Sequence, residues 1–230
     1  VKAQKLLGVN RLRGKEATFG AGSNWFSITH GFASFLVEKD DEICMDGERV
    51  AYEQFVYYLM NKPAGVISAT EDTRDRTVLD LLDGQQRKGL FPVGRLDRDT
   101  EGLLLITNDG DLAHRLLSPK KHVDKVYFVK TRDDLSQDDL LALEHGVDIG
   151  EDSLTLRAKT QLVSDKELLL TIHEGKFHQV KRMLQAVNNE VLYLKRMSFG
   201  CLKLDESLAP GEFRPLTEQE IATLKGGAEE

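Results

Sequence analysis

Gly94-Arg95-Leu96-Asp97-Arg98-Asp99-Thr100-Glu101-Gly102 runs directly into Leu103-Leu104-Leu105-Ile106-Thr107. Five charged residues stand between two glycines, against a segment whose continuous apolar character reads as a buried strand. Carboxylates and guanidinium groups are thereby placed at the edge of a core, where charge is costly unless paired or put to use. Working outward, Leu90–Val93 reads as the strand before this loop and Phe55–Met60 as an earlier one. That earlier strand ends at the turn signal Asn61-Lys62-Pro63-Ala64-Gly65. Val66–Ser68 reads as extended and Thr77–Leu82 as a short helix, capped by Thr77 or Asp75.

Beyond the apolar run, Asp111–Leu117 is an amphipathic helix stopped by Ser118-Pro119, and Lys125–Lys130 is a strand. Ser136–His145 reads as a helix with Gly146 at its end. Two long strands follow near Ser153–Val163 and Glu167–His173, the second expected to be central. Phe177–Val187 is a helix, Val191–Met197 and Leu202–Leu204 are strands, and Thr217–Leu224 is a last helix. Short connections between consecutive strands predict an α+β fold with a mixed, largely antiparallel sheet and flanking helices. Residues 1–54 differ in composition, with a basic start and a Gly/Ser-rich stretch at 20–24, and are expected to form a small N-terminal α/β domain. Residues 55–230 are expected to form the larger domain.

With 40% hydrophobic and 30% charged residues, the 230-residue chain has the balance of a soluble globular protein. It has no apolar run long enough to span a bilayer and no apolar signal-peptide core. A cytoplasmic location follows as the expectation. Cys44 and Cys201 stand far apart, outside any zinc-like pattern, which fits two reduced thiols. The net charge of −7 speaks against a polyanion partner, but the cations are grouped at 120–130, at 176–182 and at 195–196. Such sidedness permits nucleic-acid binding despite the total.

Three constellations carry chemistry. Asp97 and Asp99 share a side of an extended segment and could act as a carboxylate pair, as in glycosidases, or simply pair with Arg95 and Arg98 in a rigid turn. His173-Glu174-Gly175-Lys176-Phe177-His178-Gln179-Val180-Lys181-Arg182-Met183 ends a strand at a glycine and opens a helix, gathering cations where the macrodipole opposes them. That is either an anion site or a basic solvated face. His173 and His178, five apart with no further acid ligands, do not form a metal site. Lys125 and Tyr127 lie on one strand face, as a cation beside an aromatic for stacking on a base, or as ordinary core.

Together these motifs resemble the RsuA/RluB/E/F group of ribosomal RNA pseudouridine synthases. The resemblance covers residues 55 to about 222 and rests on several ordered motifs. They are Asn61-Lys62-Pro63-x-Gly65, Gly94-Arg95-Leu96-Asp97-x-Asp99-Thr100-x-Gly102-Leu103, Ser118-Pro119-Lys120…Lys125-x-Tyr127, the segment 174–183 and Leu208-Ala209-Pro210-Gly211-Glu212-Phe213-Arg214-Pro215. It implies isomerisation of uridine to pseudouridine with no cofactor and no metal. Asp97 corresponds to the family's catalytic aspartate, acting by attack on C1′ or by removal of the C2′ proton. A cation is needed to keep it ionised, Lys181 first and Arg182 second. Tyr127 corresponds to the tyrosine that stacks on the target ring. Arg95 is expected to occupy the gap left by the flipped uridine. Lys120, Lys121 and Lys176 are expected on flanking phosphates, with Lys125, His178 and Arg182 completing the RNA-binding set; Asp99 is structural.

The same resemblance implies ribosomal RNA as partner, no membrane association, and a monomer. His178-Gln179-Val180-Lys181-Arg182-Met183 and the short C-terminus without a basic extension lie nearer the small-subunit branch than the large-subunit one. An S4-type RNA-binding domain is expected at the N-terminus by position and charge, yet only the piece from about Glu38 to Val50 resembles part of one, its end. The competing functions are a large-subunit enzyme of the same group, a non-catalytic RNA-binding or ribosome-assembly protein, and a carboxylate-pair glycosidase. The last lacks the aromatic platforms it would need, since the one tryptophan is Trp25.

Overall fold

A computed structural model describes residues 55–82, 89–118 and 121–226, together with the strands of the N-terminal region. The chain divides into two compact units, Val1–Gln54 and Phe55–Glu230. In the first, β1 (Lys5–Val9) pairs with β4 (Ala33–Val37). Separately, β2 (Ala17–Ala21), β3 (Asn24–Ile28), β5 (Glu42–Met45) and β6 (Glu48–Arg49) form a four-stranded antiparallel sheet. The helices that an S4-like or α/β domain would carry are not among the described residues of this unit.

The second unit is built on a nine-stranded sheet. Its strands are β7 (Tyr57–Lys62), β8 (Phe91–Val93), β9 (Glu101–Thr107), β10 (Lys125–Thr131), β11 (Lys159–Ser164), β12 (Glu167–Ile172), β13 (Val191–Phe199), β14 (Leu202–Lys203) and β15 (Phe213–Pro215). They run in the order β11-β12-β10-β13-β9-β7-β15, with β8 added to β9 and β14 to β13. Every pairing is antiparallel except β9 with β13. Helices α1 (Gly110–Leu117), α2 (Gln137–His145), α3 (Gln179–Ala186) and α4 (Glu218–Gly226) complete it. The expected mixed, largely antiparallel α+β architecture is the observed one. None of the described helices is long and apolar enough to cross a membrane.

The apolar run at 103–107 is explained by burial on both faces. Leu104 and Ile106 enter a core with Met60, Leu143 and Met183, while Leu103 and Leu105 enter another with Leu59, Leu112 and Phe199. α1 and α4 contribute to the second core and α2 and α3 to the first, so the sheet is covered on both sides. Local signals set the helix starts. Asp109 caps α1 by accepting from Leu112 N, and Tyr57 Oη donates to the same carboxylate at 2.7 Å. Ser136 and Asp139 form a reciprocal capping box on α2, and Thr77 and Asp80 do so on a short 3₁₀ turn at Val78–Leu81.

Three local expectations are corrected. Residues 153–158 are not strand: Thr155 turns inward, its Oγ1 accepting from Val147 N at 3.0 Å, while Leu154 and Leu156 are exposed. β12 is second from the sheet edge rather than central. α3 starts at Gln179, because His178 takes a left-handed conformation (φ 48°) that ends the preceding loop. The short strand β15, held on β7, has too few residues to show periodicity.

β9 and β13 pair at only two positions, Lys195 with Glu101 and Arg196 with Gly102. Gly102 has φ +100°, and a Cβ there would stand 2.3 Å from the Arg196 carbonyl oxygen. Neither the conformation nor the contact tolerates a side chain. Gly102→Ala is therefore expected to destabilise the unit by at least about 2 kcal/mol, measured as a lower urea midpoint at unchanged slope.

Candidate active site

A cavity of about 590 Å³ lies beside the β9–β13 contact. One wall is the loop of residues 94–100, which joins β8 to β9; another is the 175–181 segment that opens α3; the sheet supplies Tyr127, Leu194 and Arg196. The loop is fastened from below by the Asn61–Gly65 turn. Lys62, fully buried at the end of β7, donates from Nζ to the carbonyls of Thr100 at 2.8 Å, Pro63 at 3.0 Å and Arg98 at 3.4 Å. Gly65 N donates to Arg98 O at 2.7 Å. Ser68 Oγ donates to Leu96 O and accepts from Leu96 N. These bonds hold the backbone on both sides of Asp97.

The Asp97 carboxylate is a quarter exposed, at the cavity wall. Lys181, from the first turn of α3, lies 3.2 Å from Asp97 Oδ2 and 2.6 Å from Asp99 Oδ1. His178 Nε2 is 3.5 Å from Asp97 Oδ1. Burial works against the Lys181 charge, but the hydrogen bond to Asp99 and the attraction of Asp97 outweigh it and hold the ammonium above the ordinary lysine range. The Lys181 hydrogen bond in turn holds Asp99 below the usual carboxylate range, against its partial burial. Asp97 and Asp99 therefore do not form an acid/base pair of their own; they share one lysine. Nor do their neighbouring arginines neutralise them, since Arg98 reaches Asp75 at 3.0 Å.

Asp97, Tyr127, Lys181, Arg95, Lys125, Lys176 and His178 all border this one cavity. Tyr127 and Lys125 are buried, and Arg95 is exposed. Lys176 is partly spent on its own loop, 3.5 Å from Glu151 and 3.9 Å from Glu174. Lys121 is exposed on the segment leading to β10. Lys120 lies outside the described residues. Arg182 departs from its expected place: it does not border the cavity or reach Asp97. One residue after Lys181 on a helix it points about 100° away, where it pairs with Glu151 at 2.8 Å and donates to Phe177 O and Ile149 O. It braces the loop instead.

Other contributors carry no obvious signal in the sequence. Glu174 Oε1 accepts from Leu156 N and from Gln179 Nε2, and Gln179 Oε1 accepts from Lys176 N, all within 2.9 Å. This latch shapes the loop that ends in His178. Arg196, 2% exposed, has its guanidinium beside the ring of Phe199 and its Nε on Leu103 O. Lys62 stands in the Asn61-Lys62-Pro63-x-Gly65 motif that carries the family resemblance, but no role beyond the turn is expected of it. Among the described residues no three or more His, Cys, Asp or Glu side chains are grouped to hold a metal ion.

Residues 56–186 match the family model described as RNA pseudouridylate synthase. The chain belongs to this family. It is 54% identical over 188 residues to a Bacillus subtilis protein named uncharacterized RNA pseudouridine synthase YtzG, covering 80% of this chain and 79% of the relative. It is 46% identical over 192 residues to ribosomal small subunit pseudouridine synthase A of Vibrio cholerae, covering 83% of each. With the protein of that name from Escherichia coli it is 40% identical over 194 residues, covering 84% of each. A solved pseudouridylate synthase superposes with a TM-score of 0.72 at 39% identity, covering 82% of both chains. The protein is thus a pseudouridine synthase, and the cavity at Asp97 is its candidate active site.

Two buried lysines border or underlie this site. Burial pushes Lys62 down to about 8, aided by Arg196 and opposed by Asp99, Asp97 and Glu101. It also pushes Lys125 to about 8, with Arg196 adding to the push and Asp124 and Glu174 opposing it. Between about pH 8 and the unfolded value of 10.5 the unfolded chain binds more protons at these groups, so their contribution to stability rises with pH. The stability of wild type relative to Lys125→Met should accordingly improve across that window. Urea unfolding at about pH 7.5 and about pH 10 checks this; a constant difference would contradict the burial of the charge.

Proposed function

We propose that the protein isomerises a specific uridine of small-subunit ribosomal RNA to pseudouridine, with Asp97 as the catalytic group. The observation that carries this is the Asp97–Lys181 pair on the wall of a cavity that also contains Tyr127, on the scaffold of the family. The small-subunit assignment is supported by relatives named for that subunit at 40–46% identity.

The reaction breaks the bond from C1′ to N1 and forms one from C1′ to C5; the C5 proton is lost and a proton is taken up at N1, with no net oxidation. Whether the carboxylate attacks C1′ or removes the C2′ proton, it must be ionised and close to the sugar. Lys181 sets a positive charge 3.2 Å from it, and sharing that lysine with Asp99 prevents its ammonium from closing fully on Asp97. Tyr127 stacks on the uracil. Arg95, exposed at the mouth, stands where it can occupy the gap left by the flipped nucleotide, a step that costs a few kcal/mol for a paired base. Lys121, Lys125, Lys176 and His178 form the basic surroundings that offset that cost on flanking phosphates, with Lys120 assigned on sequence alone. The N-terminal unit, basic at its start, is read as the S4-like part that helps select the RNA. The protein acts as a monomer in the cytoplasm, where its substrate is made.

Chemical mapping of pseudouridine in small-subunit rRNA from cells lacking the protein should reveal one missing site, restored by wild type. Asp97→Asn should fail to restore it and should lose at least about a hundredfold in tritium release from C5-labelled rRNA, at nearly unchanged RNA binding. Activity within about tenfold of wild type would rule out Asp97 as the catalytic group, whereas rRNA unchanged in cells lacking the protein would favour a non-catalytic RNA-binding role. For Lys181→Met a large loss of turnover at nearly unchanged RNA binding is expected, because the cation 3.2 Å from Asp97 is gone. Turnover close to wild type would contradict a role for that pair.

A further inference from the structure

Phe177 is 72% exposed, on the lip of the catalytic cavity. Its ring stacks on the imidazole of His178, with centroids 3.8 Å apart and planes 21° from parallel. His178 in turn faces Asp97. The backbone beneath the ring is held at several points: Arg182 Nη1 donates to Phe177 O at 3.0 Å, Lys176 N donates to Gln179 Oε1, and Glu174 takes the other end of Gln179. A loop this well held has not left its aromatic in water through slackness. The ring is presented outward, and leaving it there forgoes the stabilisation that burial would give.

We infer that Phe177 is a stacking platform for the nucleobase adjoining the target uridine. The inference rests on the reading of the site given above. When a uridine leaves its stack, the base beside it loses a partner on one face. A flat apolar face at the rim of the receiving cavity replaces that partner, and base–aromatic stacking tolerates any sequence. The surroundings suit an anionic strand rather than an apolar peptide: Arg95, Lys176, His178 and Lys181 border the same cavity. The His178 ring behind Phe177 fixes the tilt of the platform relative to Asp97, so the stacked base and the flipped sugar are positioned from one rigid segment. Arg95, on the opposite loop, is left to enter the vacated space.

The test uses a hairpin of small-subunit rRNA containing the mapped uridine, tritiated at C5. Phe177→Ala should lower kcat/KM about tenfold and Phe177→Trp should restore it; the position is exposed, and an unchanged melting temperature confirms the fold of each variant. An abasic residue on one side of the uridine should cost wild type a similar factor and cost Phe177→Ala little more. A second readout needs no turnover. In the Asp97→Asn background, 2-aminopurine at that adjoining position should be quenched on binding, and the quenching lost when Phe177→Ala is added. Full kcat/KM in Phe177→Ala, or an abasic penalty undiminished in it, overturns the platform. Quenching by a wild-type protein that forms no pseudouridine overturns the catalytic reading and leaves the platform standing.

Discussion

The site depends on an ammonium group that no water reaches. Lys62 is fully buried and is satisfied by three carbonyl oxygens, those of Pro63, Arg98 and Thr100. A buried charge demands compensation, and here fixed backbone dipoles provide it. The choice has a consequence for chemistry. Were Lys62 hydrogen-bonded to Asp97 itself, that carboxylate would be spent on structure. By binding the peptide groups on either side, Lys62 fixes where Asp97 stands while leaving its oxygens to the cavity. Its burial, which lowers its own proton affinity to about 8, is the cost of that rigidity.

The remaining cations divide between structure and site according to geometry that adjacency in sequence hides. Lys181 and Arg182 are neighbours, yet one turns to the Asp97 loop and the other to Glu151 and the carbonyls of the preceding segment. Arg95 and Arg98 flank the same aspartate, and among the described residues only Arg98 is tied to a carboxylate at contact distance, that of Asp75. A fixed guanidinium suits the bracing positions, where several acceptors converge. The ammonium of Lys181 suits a position between two carboxylates, where it leaves acceptor capacity on each. The chain is acidic overall, at −7, but this wall of the cavity is not.

What was legible in the sequence followed from short-range physics. The doubly buried β9 announces itself as an unbroken apolar run, and Thr77, one of the two caps expected, caps the short turn that follows it. Asp97 could be singled out because charge beside such a strand needs a reason, and the family resemblance separated it from Asp99. Other features were less legible. The hydrogen bonds of Lys62 span up to 38 residues. The sequence ranked Lys181 ahead of Arg182, but what turns the two apart is where α3 begins, after a left-handed His178, a conformation without a side-chain signature. The 153–158 segment alternates like a strand but lies beside the end of α2, where Val147 N donates to the Thr155 hydroxyl oxygen and Gly146 leaves room for its backbone.

The position of the cavity follows from the sheet itself. β13 runs the length of β10 but meets β9 at only two residues: β9 begins at Glu101 and from Leu105 pairs with β8, while β13 ends beside β14. Alongside Val191–Leu194 there is thus no strand from the β9 side, and a sheet interrupted in its middle leaves a hollow. The 94–100 loop stands at that hollow, and Leu194 lines it. The loop cannot collapse into it, since Lys62 and Ser68 hold its backbone and Gly102 locks its far end against Arg196. A catalytic carboxylate on a free loop would have to be ordered at each binding event, at about 1–2 kcal/mol of backbone entropy per residue. Here that ordering is done once, on folding, by the β9–β13 crossing; on the proposed function, binding energy from the RNA is then left for extracting the uridine.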